Sequence, residues 1–203
     1  MAKGRNRVYR WLGGGLAALG LMVIGGWAWG GGFRSVEVVE VEVPGDWVLG
    51  LDEVGPYEAM REPFLRAGSL MDSLQVATED GVAWYFDDPT KTAPEDCRGF
   101  YGRVFQPGAE AGWESGQPGP EGLRAMQLPA GKALVVDWEL SGYLGYIVGP
   151  IRLYPMLTEA MAARGEVPLA VYERYATDGR SVRYVMVYGA TSQGESNATS
   201  AAQ

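Results

Sequence analysis

The sequence predicts an α+β fold: a tandem strand-helix-strand-strand repeat forming an antiparallel sheet with two helices, preceded by one N-terminal transmembrane helix. Three observations carry this expectation. Short runs rich in valine and aromatic residues, several with a two-residue period, recur along the chain. Two segments with helical spacing or boundary signals fall between such runs, in the same order each time. Residues 11–33 carry no charge and follow four bases, Lys3, Arg5, Arg7 and Arg10.

Leu12 to Trp29 is 18 residues without a charged side chain, long enough to cross a hydrocarbon core as a helix. The bases before it place Met1 on the cytoplasmic side by the positive-inside rule and the rest of the chain outside, in a bacterial periplasm or at the cell surface. The competing reading is a cleaved signal peptide, with Ala28-Trp29-Gly30 as a poor small-x-small site. Either way, residues 1–34 form an exporting or anchoring segment.

Val36 to Val43 alternates valine and glutamate, with Val39 as the break, and reads as a strand that continues over Asp46 to Glu53 after a Pro44-Gly45 turn. Phe64, Ala67, Met71 and Leu74 then fall on one helical face, with Pro63 suited to a first turn, where its missing N–H is not needed. Gly81 to Asp87 and Gly99 to Phe105 are short aromatic-rich strands that complete a first repeat, 35–105. Residues 106–121 turn to Gly, Pro, Glu and Gln and read as a linker. The second repeat, 122–189, has strands at Arg124 to Leu128 and Ala133 to Leu140, a helix opened by Pro155, and strands at Leu169 to Tyr175 and Val182 to Tyr188. Residues 190–203 hold too little apolar surface to fold. The simplest assembly is one antiparallel sheet with both helices on one face.

Composition removes several function classes. With 203 residues and 47% hydrophobic content the chain can bury a real core. It has no histidine and one cysteine, so Ser-His-Asp and Cys-His catalysis, the usual zinc and haem sites and an intrachain disulfide are all excluded. Residues 35–203 carry 12 bases against 25 acids, a net charge of −13, which makes nucleic acid a poor partner for them. No cofactor is expected.

The stretch Tyr85 to Gly99 gathers Asp87, Asp88, Glu95, Asp96, two prolines and the single Cys97. Four carboxylates suggest a hard metal, but the spacing that wraps a loop around Ca²⁺ is missing. Arg98 beside Cys97 would favour a thiolate, but two acids precede it and no base is at hand. The reading adopted is a strand connection in which Asp88-Pro89 and Ala93-Pro94 direct the chain and Cys97 packs as a small hydrophobe. No metal site is assigned.

In Leu169 to Tyr175, alternation puts Leu169, Val171, Glu173 and Tyr175 on one strand face. If that face is buried, a carboxylate lies in an apolar row, where it needs a partner or a ligand. The opposite register, with Tyr172 inward and Glu173 in water, is the alternative. Trp84, Tyr85, Trp138, Tyr143, Tyr146 and Tyr172 supply rings for stacking and cation–π contacts around such a carboxylate.

Several stretches together resemble a known superfamily: Gly55-Pro56-Tyr57 with Phe64, then Asp87-Asp88-Pro89, Pro94-Glu95-Asp96-Cys97-Arg98 with Gly102, Pro129-Ala130, and Glu173-Arg174-Tyr175. The chain is similar to GyrI-like small-molecule-binding domains and, with its N-terminal apolar segment, to the membrane-anchored branch that includes the testis-expressed ER-phagy receptor. Its short tail lacks the acidic aromatic-x-x-aliphatic peptide of the animal receptor, so no autophagy role is carried over. The resemblance implies two repeats about a pseudo-twofold axis with a ligand groove between them. It implies that Glu173 faces cationic, aromatic ligands there and that Tyr57 sits at the groove.

The expected site is therefore Glu173, Tyr175, Tyr57, Trp84, Trp138 and Tyr143, binding a small cationic or amphipathic molecule without catalysis. The expected partners are that ligand and the membrane. Two alternatives stand beside it: a hydrolase using Glu173 with Tyr143 or Tyr175 in acid–base roles, which some GyrI-like proteins resemble, and a membrane-tethered interaction scaffold with a filled groove.

Overall fold

The computed structural model describes residues 2–106 and 119–190. The N-terminal segment forms one helix, α1, Ala2–Trp29. The strands are β1, Val39–Val43; β2, Trp47–Val54; β3, Thr78–Tyr85; β4, Arg98–Phe105; β5, Arg124–Gln127; β6, Gly131–Glu139; β7, Ala170–Tyr175; and β8, Ser181–Ala190. Helix α2, Arg61–Ser73, lies between β2 and β3, and α3, Tyr143–Ala162, between β6 and β7.

All eight strands form one sheet in the order β1-β6-β8-β7-β3-β4-β2-β5, and every neighbouring pair is antiparallel. The order is symmetric about its centre. The unit β2-α2-β3-β4 contributes β3-β4-β2 on one side, and β6-α3-β7-β8 contributes β7-β8-β6 on the other, so β3 and β7 meet in the middle. The strand-helix-strand-strand repeat read from the sequence is thus present twice. The edge strands β1 and β5 join it across the repeats, β1 on β6 and β5 on β2.

Both helices lie on one face. Under α2 the core is Leu49, Leu51, Ala67, Met71, Phe105, Leu123 and Ala125. Beneath α3 it includes Leu134, Trp138, Val148, Leu153, Leu157 and Tyr184. The opposite face has a cluster of its own, including Val48 of β2, Met126 of β5, Val135 of β6 and Val185 of β8. Strands far apart in the sheet order share that cluster, so the sheet curls around it. Gly50 and Gly102 face each other across β2 and β4; a Cβ on Gly102 would lie 2.0 Å from the Leu49 carbonyl oxygen, and one on Gly50 2.5 Å from that of Tyr101. Glycine is what the close approach of these two backbones requires.

Two expectations are corrected. The helix expected to open at Pro155 begins twelve residues earlier, at Tyr143, and runs through Pro150 and Pro155. Burial decides this: Val148, Leu153, Leu157 and Met161 pack on the sheet along one side, and that row outweighs the backbone hydrogen bonds the prolines remove. The transmembrane span expected over Leu12 to Trp29 is not found: the segment is helical, but among the described residues no helix is long and apolar enough to cross a membrane. Glycines at positions 13, 14, 15, 20, 25 and 26 thin its apolar surface. Most of the linker expected over 106–121, and all but the first residue of the tail expected over 190–203, lie outside the described residues.

Candidate functional site

Helix α2 packs over β2 and β4, and α3 over β6 and β8, so the two central strands carry the seam between the helices. On the helix side of that seam the register sets Gly81 opposite Tyr175, Ala83 opposite Glu173 and Tyr85 opposite Val171. Small residues on β3 leave room for the larger side chains of β7.

Glu173 is 2% exposed. Three phenolic hydroxyls donate to its carboxylate: Tyr154 of α3 to Oε1 at 2.8 Å, Tyr85 of β3 to Oε2 at 3.1 Å, and Tyr175, two residues along the same strand, also to Oε2. These donors occupy three of the roughly four lone-pair positions of a carboxylate. No ion pair among the described residues includes Glu173; every partner is a neutral hydroxyl. Burial raises its pKa above the ordinary carboxylate value, and the three hydrogen bonds oppose that rise. The hydroxyls of Tyr85, Tyr154 and Tyr175 are held well above the usual phenol value, by burial first and then by the charge of Glu173. The site is a carboxylate caged by groups that stay protonated.

Rings from both helices close over it. Phe64 of α2 meets Tyr175 edge-on at 5.3 Å between centroids, and Tyr146 of α3 stacks on the same ring at 6.3 Å. Gly81 accommodates the Phe64 ring, since a Cβ there would lie 2.3 Å from its tip. The Tyr85 hydroxyl oxygen also lies 2.8 Å from Met60 Sδ, and its ring lies 4.7 Å from the Tyr57 ring. Tyr175 is thus held between the two helices, directly beside the carboxylate.

Of the six residues expected at the site, the structure brings three together. Glu173 and Tyr175 form its centre, and Tyr57 touches it through Tyr85. Tyr57 also anchors the strand connection: its hydroxyl donates to the Arg98 carbonyl at 2.8 Å and accepts from the Asp87 N–H at 3.1 Å. Trp84 points to the opposite face, into the cluster with Tyr172. Trp138 is fully buried beneath the start of α3, where its indole N–H donates to the Gly145 carbonyl at 3.0 Å. Tyr143 is 75% exposed at the first turn of α3. Tyr154 was missed, because placing the helix start at Pro155 left it in a loop. With α3 beginning at Tyr143, Tyr146 and Tyr154 are eight residues apart and share a helix side, a signal present in the sequence.

The acid-rich connection before β4 is structural. Asp87 accepts from the backbone N–H of Arg98 at 2.7 Å and from its guanidinium at 3.0 and 2.9 Å, and Arg98 holds the carboxyl below its ordinary pKa. Asp88 accepts from the N–H and hydroxyl of Thr90 and pairs with Lys91, which with Thr90 lowers its pKa to about 2. Cys97 is buried, and burial together with nearby carboxylates pushes its thiol up, away from a reactive thiolate.

No family model matches the chain, and no curated protein matches it. Solved structures do. The EcmrR C-terminal domain aligns with a TM-score of 0.56 at 12% identity over 77% of this chain and 99% of that chain. EcmrR in a cryo-EM structure of its complex with DNA aligns with a TM-score of 0.57 at 12% identity over 93% of this chain and 71% of that chain. An integron cassette protein from the mobile metagenome of Vibrio cholerae reaches a TM-score of 0.44 at 13% identity, over 75% of this chain and 95% of that chain, too distant to carry an argument. Neither EcmrR structure ties the chain to a membrane-anchored branch, and the DNA belongs to EcmrR. What the comparison establishes for this chain is the fold alone: an α+β domain folded like the EcmrR C-terminal domain.

Proposed function

We propose that this chain is a small-molecule-binding domain that takes a small cationic or amphipathic ligand at the seam between α2 and α3, with Glu173 as counter-ion. The observation that carries the reading is a carboxylate 2% exposed whose partners are all neutral hydroxyls. A buried carboxylate without a cation is costly, and a ligand cation removes that cost. The rings of Tyr175, Phe64 and Tyr146 offer faces to a flat or quaternary cation. They come from β7 and from both helices, so entry lies where the helices face each other. The acidity of residues 35–203 concentrates cations at the surface and disfavours nucleic acid as the ligand.

The test is titration of a phosphonium or rhodamine dye into the parent protein and Glu173→Gln, with near-UV circular dichroism as the check on folding. The variant is expected to bind at least about tenfold more weakly, the loss that follows when one member of a desolvated charge pair is removed. Equal affinity would take Glu173 out of the site.

One contact favours a second reading. Tyr175 donates directly to Glu173, the pairing that an acid–base hydrolase needs. That reading requires turnover of an ester or strained-ring panel by the parent protein and its loss in Glu173→Gln.

A further inference from the structure

Independently of the ligand site, α1 presents a surface that the domain does not cover. Residues 15–25 are exposed throughout, and Leu16, Leu19, Leu21, Met22, Val23 and Ile24 are 56 to 71% exposed. At about 100° per residue, Leu16, Leu21, Met22 and Ile24 fall on different sides of the helix, so the apolar surface runs all round it. A helix apolar on every side belongs inside an apolar medium. Among the described side chains, the end of the helix meets the domain, through Gly26 against Leu144 of α3 and Trp27 against the α3 core, and just past it Gly30 lies against Leu144 and Val148.

Around that exit the domain is apolar and aromatic. Trp29 and Phe33 are 75% and 71% exposed. The row Tyr143, Ile147 and Ile151 on α3, one residue apart from the row that meets α1, is 75%, 44% and 59% exposed. The junction is fixed, since Arg34 donates to the Glu139 carbonyl at 2.8 Å and Arg152 to the Gly31 carbonyl at 3.0 Å.

We infer that α1 and the Tyr143–Ile147–Ile151 ridge of α3 form one docking surface for an anionic lipid bilayer, with α1 in the hydrocarbon and the ridge at the interface. Two features select lipid over a second copy of the chain. A self-associating helix needs one apolar stripe, whereas this one is apolar all round. Tryptophan, phenylalanine and tyrosine collect where α1 meets the domain, the depth at which aromatic side chains settle in a bilayer. Charge adds the lipid type: Lys3, Arg5, Arg7 and Arg10 are the only charged residues before Arg34, and they complement anionic headgroups. Residues 15–29, the part of α1 with exposed apolar side chains, rise about 22 Å, short of the roughly 30 Å hydrocarbon core, and no described helix is long and apolar enough to span, so the inferred contact is insertion of this part.

The test is flotation of the full chain with phosphatidylcholine vesicles, with and without phosphatidylglycerol. Two variants accompany it, Leu19→Glu with Val23→Glu on α1 and Ile147→Glu with Ile151→Glu on α3; all four positions are exposed, and thermal melts confirm an unchanged domain. The parent is expected to float, more completely with phosphatidylglycerol. The α1 variant should lose about tenfold or more in partitioning, and the α3 variant severalfold. A parent that stays with the soluble fraction, variants that float as the parent does, or a lipid-independent oligomer that depends on Leu19 and Val23 would each overturn the proposal.

Discussion

Glu173 concentrates the chemistry of this chain because it is a charge kept dry by three hydroxyls that do not ionise. Its folded pKa lies above its ordinary value, so the folded state binds the proton more tightly than the unfolded one. Stability from this group is therefore greatest below the ordinary carboxylate pKa and falls as pH rises through the raised folded value. Denaturant midpoints of the parent relative to Glu173→Gln should rise as pH is lowered through that window, and a pH-independent difference would contradict the assignment. Dye binding has the opposite dependence: protonation removes the counter-ion, so affinity should fall on acidification from above the ordinary carboxylate range, while Glu173→Gln stays flat. Asp87 is the second residue whose loss should be felt. Asp87→Asn leaves the Arg98 backbone N–H and guanidinium with a neutral partner in place of a carboxylate. A cost of about 1–2 kcal/mol in chemical denaturation is expected, on the low side because Arg98 is half exposed.

At the level of elements, the two helices leave β3 and β7 to face each other between them, and backbone spacing in β2 and β4 shapes the sheet that carries them. Gly102→Ala would drive a Cβ into the Leu49 carbonyl and Gly50 Cα, backbone atoms that cannot rotate away. It should destabilise the fold by more than about 2 kcal/mol, read as a lower denaturant midpoint. Gly81→Ala makes an informative contrast, since its Cβ meets the tip of the Phe64 ring, which can swing. That variant should shift dye affinity with a stability change under about 1 kcal/mol, because it moves a ring over Tyr175 and leaves the strand pairing in place. Equal stability losses in the two glycine variants would show that Phe64 is held as rigidly as the backbone.

For the whole molecule, the pseudo-symmetric sheet explains why a single acidic side chain becomes central. The repeats meet through β3 and β7, and the face of that pair turned to the helices carries Glu173, Tyr175 and Tyr85. The face turned away carries Arg174, whose guanidinium joins Asp80 at 2.8 Å and Asp46 at 2.5 Å and so links β3 to the turn between β1 and β2. Arg174→Gln should cost about 1 kcal/mol in unfolding experiments, a modest figure because the groups are a quarter exposed. Its dye affinity should match the parent, since the site lies on the other face; a loss comparable to that of Glu173→Gln would mean that the two faces are coupled.

The sequence by itself determined the strand-helix-strand-strand order, the antiparallel sheet and the placement of Glu173 and Tyr175 on one strand face, because alternation and helical spacing are local properties of the backbone. It also carried the uncharged stretch, residues 11–33, behind four bases near the N-terminus, though not its relation to a membrane. Only the tertiary structure decided which face of β7 meets the helices, since both faces of the curled sheet bury large side chains: Tyr172 and Trp84 go one way, Glu173 and Tyr85 the other. It also decided that α3 runs through two prolines and so delivers Tyr154 to the carboxylate. Local propensity argues against that helix, and only the row of side chains it buries against β6 and β8 makes it the stable course.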